Sequence, residues 1–133
     1  MIRIVIVDDH PEVRKAWIMF LQRYEHISVV GECTNGPEAI DRVPELNPDI
    51  ILMDINMKPM SGIEATQILT QKYPGVKVIG VSFHTSSVYI KKMLAAGARG
   101  YIFKYAVVED LLPAIYAVHS GTIFLGKGVI IEP

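Results

Sequence analysis

Five short apolar runs, each cut off by a polar or charged residue and followed by a helical pattern, dominate this chain. They begin at Ile2, Ile27, Asp49, Val76 and Gly100, so one strand-plus-helix unit fits between each start and the next. Such alternation predicts a parallel sheet covered by helices on both faces. The runs are apolar throughout rather than alternately, as strands buried on both faces must be. Right-handed crossovers then bring every strand's C-terminal end to one edge, the edge where open α/β sheets bind ligands.

The first strand is read as Ile2 to Val7, ended by Asp8, Asp9 and His10, with Pro11 suited to the first turn of a helix. Val13, Ala16, Trp17, Phe20 and Leu21 then form one apolar helical face. Ile27 to Cys33 is the second strand, and its helix opens at Pro37 and is expected to kink or stop early at Pro44. Asp49 to Asp54 is the third strand, followed by a helix from Ile63 to Tyr73. Val76 to Val81 is the fourth, ending at Ser82, with Thr85, Ser86 or Ser87 as the cap of a helix that stops near Gly97. Gly100 to Phe103 is the fifth, and Lys104 follows at once. Pro113 is expected to delay or bend the last helix.

With 133 residues the chain makes one domain with a full core. A net charge of -1 predicts no strong attraction to nucleic acid or anionic membranes. One cysteine, Cys33, excludes an intrachain disulfide and fits a reducing compartment. No signal peptide opens the chain, and no apolar run reaches the ~20 residues of a membrane span, so the expected address is the cytoplasm.

The strand ends carry the chemistry. Asp8 and Asp9, Asp54, Ser82 and Lys104 follow strands one, three, four and five, and the topology gathers them at one edge. Two carboxylates about 5 Å apart repel by roughly 3 kcal/mol at an effective dielectric near 20, so three together call for a cation or for one of them to be protonated. Hard oxygen ligands without clustered histidine or thiolate favour Mg²⁺, which takes one or two carboxylates and a phosphate. For want of a second nitrogen or thiolate at ligand spacing, zinc is set aside at His10 and His84, while His26 and His119 read as surface residues. Lys104 and Ser82 suit phosphoryl oxygens, and a carboxylate beside the cation can take a phosphoryl group as an acyl phosphate. Asp54 is the residue expected to do so.

Those residues sit in stretches that resemble the receiver domain of two-component response regulators. VDDHP from Val7, MDINM around Asp54, the VS ending in Ser82 and GYIFK ending in Lys104 carry the likeness over Arg3 to Gly121. The segment MSGIEAT from Met60 and AGARGY from Ala96 are most similar to the NarL/FixJ (LuxR-type) class. This resemblance implies a CheY-like, flavodoxin-like three-layer sandwich, a five-stranded parallel sheet of order 2-1-3-4-5 with five helices. It implies a receiver domain over 1–120, with 121–133 a tail or the start of a linker to an output domain absent from this chain. Asp54 matches the phosphoacceptor, served by a sensor histidine kinase or phosphotransfer protein. Asp9, Asp54, the Asn56 carbonyl and, through water, Asp8 match the Mg²⁺ ligands. Ser82 and Lys104 match the phosphoryl-binding pair, and Ser82 with Tyr101 the switch. The class implies a signalling phosphoacceptor rather than an enzyme, with self-phosphorylation from small donors and slow self-dephosphorylation. DNA would be reached only through the missing output domain, and phosphorylation could promote a homodimer, with Tyr89, Lys91, Tyr105 and Tyr116 on the responsive face.

Three features depart from the pattern: Lys58-Pro59 sets its proline one residue late, Phe83 replaces a small residue, and Tyr105 follows Lys104. The rivals are a Mg²⁺-dependent phosphohydrolase of the dehalogenase type, which wants its nucleophile at the end of the first strand, a flavin-binding flavodoxin, and a receiver that works without phosphorylation.

Overall fold

The computed structural model describes residues 1–132. Six strands, β1 (Ile2–Val7), β2 (Ile27–Cys33), β3 (Ile50–Met53), β4 (Lys77–Ser82), β5 (Gly100–Phe103) and β6 (Phe124–Leu125), form one parallel sheet of order β2-β1-β3-β4-β5-β6. Between them lie α1 (Pro11–Leu21), α2 (Gly36–Leu46), α3 (Gly62–Lys72), α4 (Ser87–Ala95) and α5 (Val107–His119). Asn35, Ser61 and Ser86 accept from the first-turn amides of α2, α3 and α4, the expected work of an N-cap side chain.

Each strand feeds two cores because successive side chains leave opposite faces. Ile4, Ile6, Ile50, Leu52, Ile79 and Ile102 pack with Trp17 and Leu21 of α1 and Leu111, Ile115 and Val118 of α5. Val5, Val7, Ile51, Met53, Val78 and Tyr101 pack the other way, against Ala39 and Val43, Ala65 and Leu69, and Ile90 and Met93 of α2, α3 and α4. At about 1.5–3 kcal/mol for each fully buried large aliphatic side chain, these two layers hold the strand ends in register.

The sheet has one strand more than the five expected. After α5 the chain returns to the free edge of β5: the Phe124 amide donates to the Arg99 carbonyl (3.0 Å) and the Gly126 amide to the Tyr101 carbonyl (2.9 Å). Lys127 N then donates to the buried Asp110 carboxylate (2.9 Å), and Val129 packs on the α4-side core. An open edge of unpaired amides and carbonyls explains why so short a strand forms. Within the stretch read as 121–133, Phe124 to Val129 therefore lies against the sheet, and only Pro133 lies outside the described residues. It also follows that Tyr101 is not on an edge strand, and it packs towards α4 rather than against the last helix.

Neither internal proline ends its helix where it stands. α2 continues through Pro44 to Leu46. The carbonyl that Pro44 leaves without its usual donor is that of Ile40, and the Tyr73 hydroxyl donates to it from α3's end (3.2 Å). Removing that hydroxyl in Tyr73→Phe is expected to cost about 1 kcal/mol in urea unfolding, as one part-buried hydrogen bond is worth. In α5, Pro113 and Glu109 one turn before it both lie on the exposed face, where water can reach the freed carbonyl.

Cys33 closes β2 in full burial, and desolvation is the main reason its thiol is pushed up to about 11. At neutral pH the folded domain is expected to resist iodoacetamide and to be alkylated at Cys33 only when unfolded in urea, followed by intact mass.

Candidate phosphoacceptor site

β1 and β3 are neighbours, with Val7 paired to Met53, so the residues just beyond them, Asp8 and Asp54, emerge side by side. The Asp54 amide donates to the Val7 carbonyl (3.0 Å) and that of Asp8 to the Cys33 carbonyl (3.1 Å), which ties both carboxylates to the sheet. β4 and β5 end together, Ser82 opposite Phe103, and Lys104 reaches across from the turn that follows. Its Nζ lies 2.8 Å from Asp8 Oδ2 and 3.2 Å from Asp54 Oδ1.

Asp8 is fully buried and both its oxygens are engaged. Oδ2 takes Lys104, while Oδ1 accepts from the His10 amide (2.9 Å) and lies 3.0 Å from His10 Nδ1. Behind it Arg14 donates to the Asp8 carbonyl (2.6 Å) and to Glu32 Oε1 (2.9 Å), so a buried guanidinium braces the acidic loop. Asp54 is 3% exposed and lines a cavity of about 250 Å³ with His10, Val13, Asn56, Ser82, Phe83, His84 and Lys104. That is smaller than the pockets of about 300–1,000 Å³ that drug-sized ligands fill, which favours a small group over a flavin.

The electrostatics are those of an anionic cluster short of cations. Burial, then the charge of Asp8, raises the Asp54 carboxyl above the usual range, against the pull of Lys104. Burial lowers the Lys104 ammonium, but its bond to Asp8 and the charges of Asp54 and Asp8 outweigh that and leave it raised. The hydrogen bond to Asp8, then the charge of Asp9, raises the exposed His10 imidazole.

The donors present fit a hard divalent cation. Asp8, Asp9, His10 and Asp54 each offer a ligand atom within 4.8 Å of the others. Asn56 adds a backbone carbonyl that accepts no hydrogen bond among the described residues and belongs to a residue lining the cavity. A carbonyl left unpaired in such a cavity is a donor that an oxygen-seeking ion can take.

Ser82 is buried, and its Oγ accepts from the His84 amide (3.0 Å). Tyr101, buried with burial raising its hydroxyl, donates to the carbonyl of the same His84 (2.7 Å). The hydroxyl and the aromatic are thus tied to one residue. His84 stacks on Tyr89 with centroids 4.1 Å apart. Phe83 is largely exposed at the cavity rim, its ring 5.3 Å from Lys104 Nζ.

Every residue nominated from the strand ends reaches this one edge. Three contributors were not nominated. Arg14 sits among helical apolar positions, and nothing local marks it as a brace. His10 was weighed only as a zinc ligand. Gly62, one residue ahead of the helix expected from Ile63, lets α3 start against the Asp54 backbone, its amide donating to the Ile55 carbonyl (2.7 Å). A glycine directly after a helix-capping serine was the available signal.

Comparison with known proteins agrees with this geometry. The model of the response regulator receiver domain matches residues 4–116. The transcriptional regulatory protein LnrK of Bacillus subtilis is 38% identical over 94% of this chain and 57% of its own length. DegU of Brevibacillus brevis is 39% identical over 93% of the chain and 52% of its own. The chain thus spans little more than half the length of these relatives. A two-component response regulator of the LuxR family from Aurantimonas sp. SI85-9A1 superposes with a TM-score of 0.91 at 32% identity, over 96% of this chain and 91% of that one. This chain belongs to the response regulator receiver domain family, the phosphoaccepting module of two-component signalling.

Proposed function

We propose that the domain takes a phosphoryl group on Asp54 from a sensor histidine kinase or phosphotransfer protein and passes the signal on through its surface. The observation that carries this is Asp54 itself, a nearly buried carboxylate that still lines the cavity, with Lys104 at 3.2 Å and Asp8 behind it. An Asp54 oxygen attacks phosphorus as the bond to the donor's imidazole nitrogen breaks, and the leaving nitrogen keeps the electron pair. Asp9, Asp54, the Asn56 carbonyl and, through water, Asp8 would hold Mg²⁺, which spreads the charge of the transferring group. Lys104 and Ser82 receive the phosphoryl oxygens. Ser82 moving to do so gives up its His84 contact, to which Tyr101 is also bonded. The adduct adds about -1.5 to -2 charge at this edge and biases the face of α4, β5 and α5, where Tyr89, Lys91, Tyr105 and Tyr116 are exposed.

In this reading 1–120 is the receiver unit and the tail beyond it leads towards an output. Control of transcription through a DNA-binding partner domain is proposed from the names of the longer relatives. Dimerisation on phosphorylation is proposed from the exposed aromatics on β5's flank. A lone buried thiol fits the cytoplasm as the setting, and no helix among the described residues is long and apolar enough to cross a membrane. A dehalogenase-type nucleophile at the end of β1 is disfavoured, since Asp8 is fully buried with both oxygens engaged.

Intact-mass measurement after acetyl phosphate tests the proposal. One hydroxylamine-labile phosphoryl group is expected, dependent on Mg²⁺ and absent from Asp54→Ala. No adduct on the wild-type domain, or an undiminished one on the variant, would refute it.

A further inference from the structure

His10 stands closer to the acidic cluster than a neighbour in sequence needs to. Its Nδ1 is 3.0 Å from Asp8 Oδ1 and 2.9 Å from Asp9 Oδ1, and a nitrogen of the ring falls within 4.8 Å of a carboxylate oxygen of Asp54. The ring gives no capping bond to α1, although His10 occupies the N-cap position. Its side chain is 61% exposed, so burial does not force it towards the carboxylates. It also lines the cavity that Asp54 and Asn56 line. A nitrogen among three carboxylates is a mixed donor set. Oxygen ligands suit Mg²⁺, whereas imidazole suits zinc, cobalt and nickel.

We propose that His10 is a nitrogen ligand of the phosphoacceptor cavity, so that the domain binds borderline divalent cations such as Zn²⁺ or Co²⁺ through His10 together with the carboxylates that take Mg²⁺. This rests on the receiver reading of Asp9 and Asp54, and it adds to that reading a ligand that discriminates between metals. Mg²⁺ leaves the imidazole out and keeps water in its place, as a small, strongly hydrated ion does. A softer ion recruits the ring. The reading from spacing alone set zinc aside for lack of a second nitrogen, but carboxylates complete the set here, and sites of mixed imidazole and carboxylate ligands are well within zinc chemistry.

Isothermal titration of the intact domain with Mg²⁺ and separately with Zn²⁺, at about pH 8 to limit proton competition for the ligands, measures the preference. In His10→Asn the Zn²⁺ affinity is expected to fall about tenfold or more while the Mg²⁺ affinity changes less than about twofold. His84→Asn, the other histidine of the cavity, is expected to change neither. Nitrogen-15 NMR of the imidazoles gives a second readout: the His10 Nδ1 resonance is expected to move to a metal-bound position with Zn²⁺ and not with Mg²⁺. Equal loss of both ions in His10→Asn would mean that the ring acts only by hydrogen bonding, and would overturn the proposal. So would an unchanged preference with an unmoved resonance, or a Zn²⁺ loss confined to His84→Asn. A wild-type domain that takes neither ion overturns the receiver metal site as well, which separates the two failures.

Discussion

Gly62→Ala is expected to destabilise the domain by at least about 3 kcal/mol, the heavy end of what overpacking costs. A Cβ at this position would overlap the carbonyl oxygen of Asp54 and stand 2.8 Å from both the Asp54 carbonyl carbon and the Ile55 Cα. These are backbone atoms, and no rotamer change relieves them. The loop is held besides, by the Asp54 amide bonded to Val7 and the Gly62 amide bonded to Ile55. Helix propensity predicts the opposite sign, since alanine is favoured over glycine within a helix by about 1 kcal/mol. Urea unfolding therefore decides between a steric and a propensity account. The same substitution is expected to weaken Mg²⁺ binding, because Asp54 and Asn56 move with the loop. A loss below about 1 kcal/mol would show that α3 can back away from the site.

Lys104→Met is expected to cost about 3 kcal/mol in EDTA, the lower range for breaking a buried ion pair from one side. The ammonium is 7% exposed and is shared by Asp8 and Asp54, both nearly inaccessible themselves. Its removal leaves the carboxylates facing one another. The pH dependence has a definite sign. The Asp54 carboxyl is already raised, by burial and by Asp8, with Lys104 as the opposing charge. Removing Lys104 raises it further. A carboxyl raised in the folded state favours folding below its unfolded value, near pH 4, and that advantage is lost as pH rises through the folded value. The variant's deficit should therefore be small near pH 4, grow towards neutrality, and shrink when Mg²⁺ replaces the missing positive charge. Lys104 itself is charged in both states throughout this range, so its own titration does not intrude. A deficit that is the same at about pH 5 and pH 8 would show that packing, not charge, is what Lys104 supplies.

The frame of the site was legible because topology does the gathering. Apolar runs ending at Asp8, Asp54, Ser82 and Lys104 had to meet at one edge once the sheet was parallel, whatever the side chains between them. Features that depend on contacts between distant segments were not legible in the same way. Pro44 reads as a helix breaker until Tyr73, on another helix, supplies the donor for Ile40. Two residues at Phe124 and Leu125 show no strand period, and they pair only because β5 offers an open edge. Arg14 looks like a misplaced charge on an apolar helix until the Asp8 carbonyl and Glu32 are placed beside it. In each case the partner lies on another element, and periodicity cannot see across the fold.

The direction of β6 has a practical consequence. Because it runs parallel to β5, the chain beyond it travels towards the edge that carries Asp54, passing Asp110 at Lys127 and the Phe103 ring at Gly128. Met1, by contrast, starts from the opposite edge, where β1 begins. A fluorophore or affinity handle attached ahead of Met1 sits the whole length of the sheet away from the chemistry. One attached past Val129 starts from the edge of the sheet where the strands end, and a short flexible link there gives an effective concentration on the order of millimolar towards that edge. Probes meant to leave the domain undisturbed belong at the front of the chain, and those meant to sense it belong at the back.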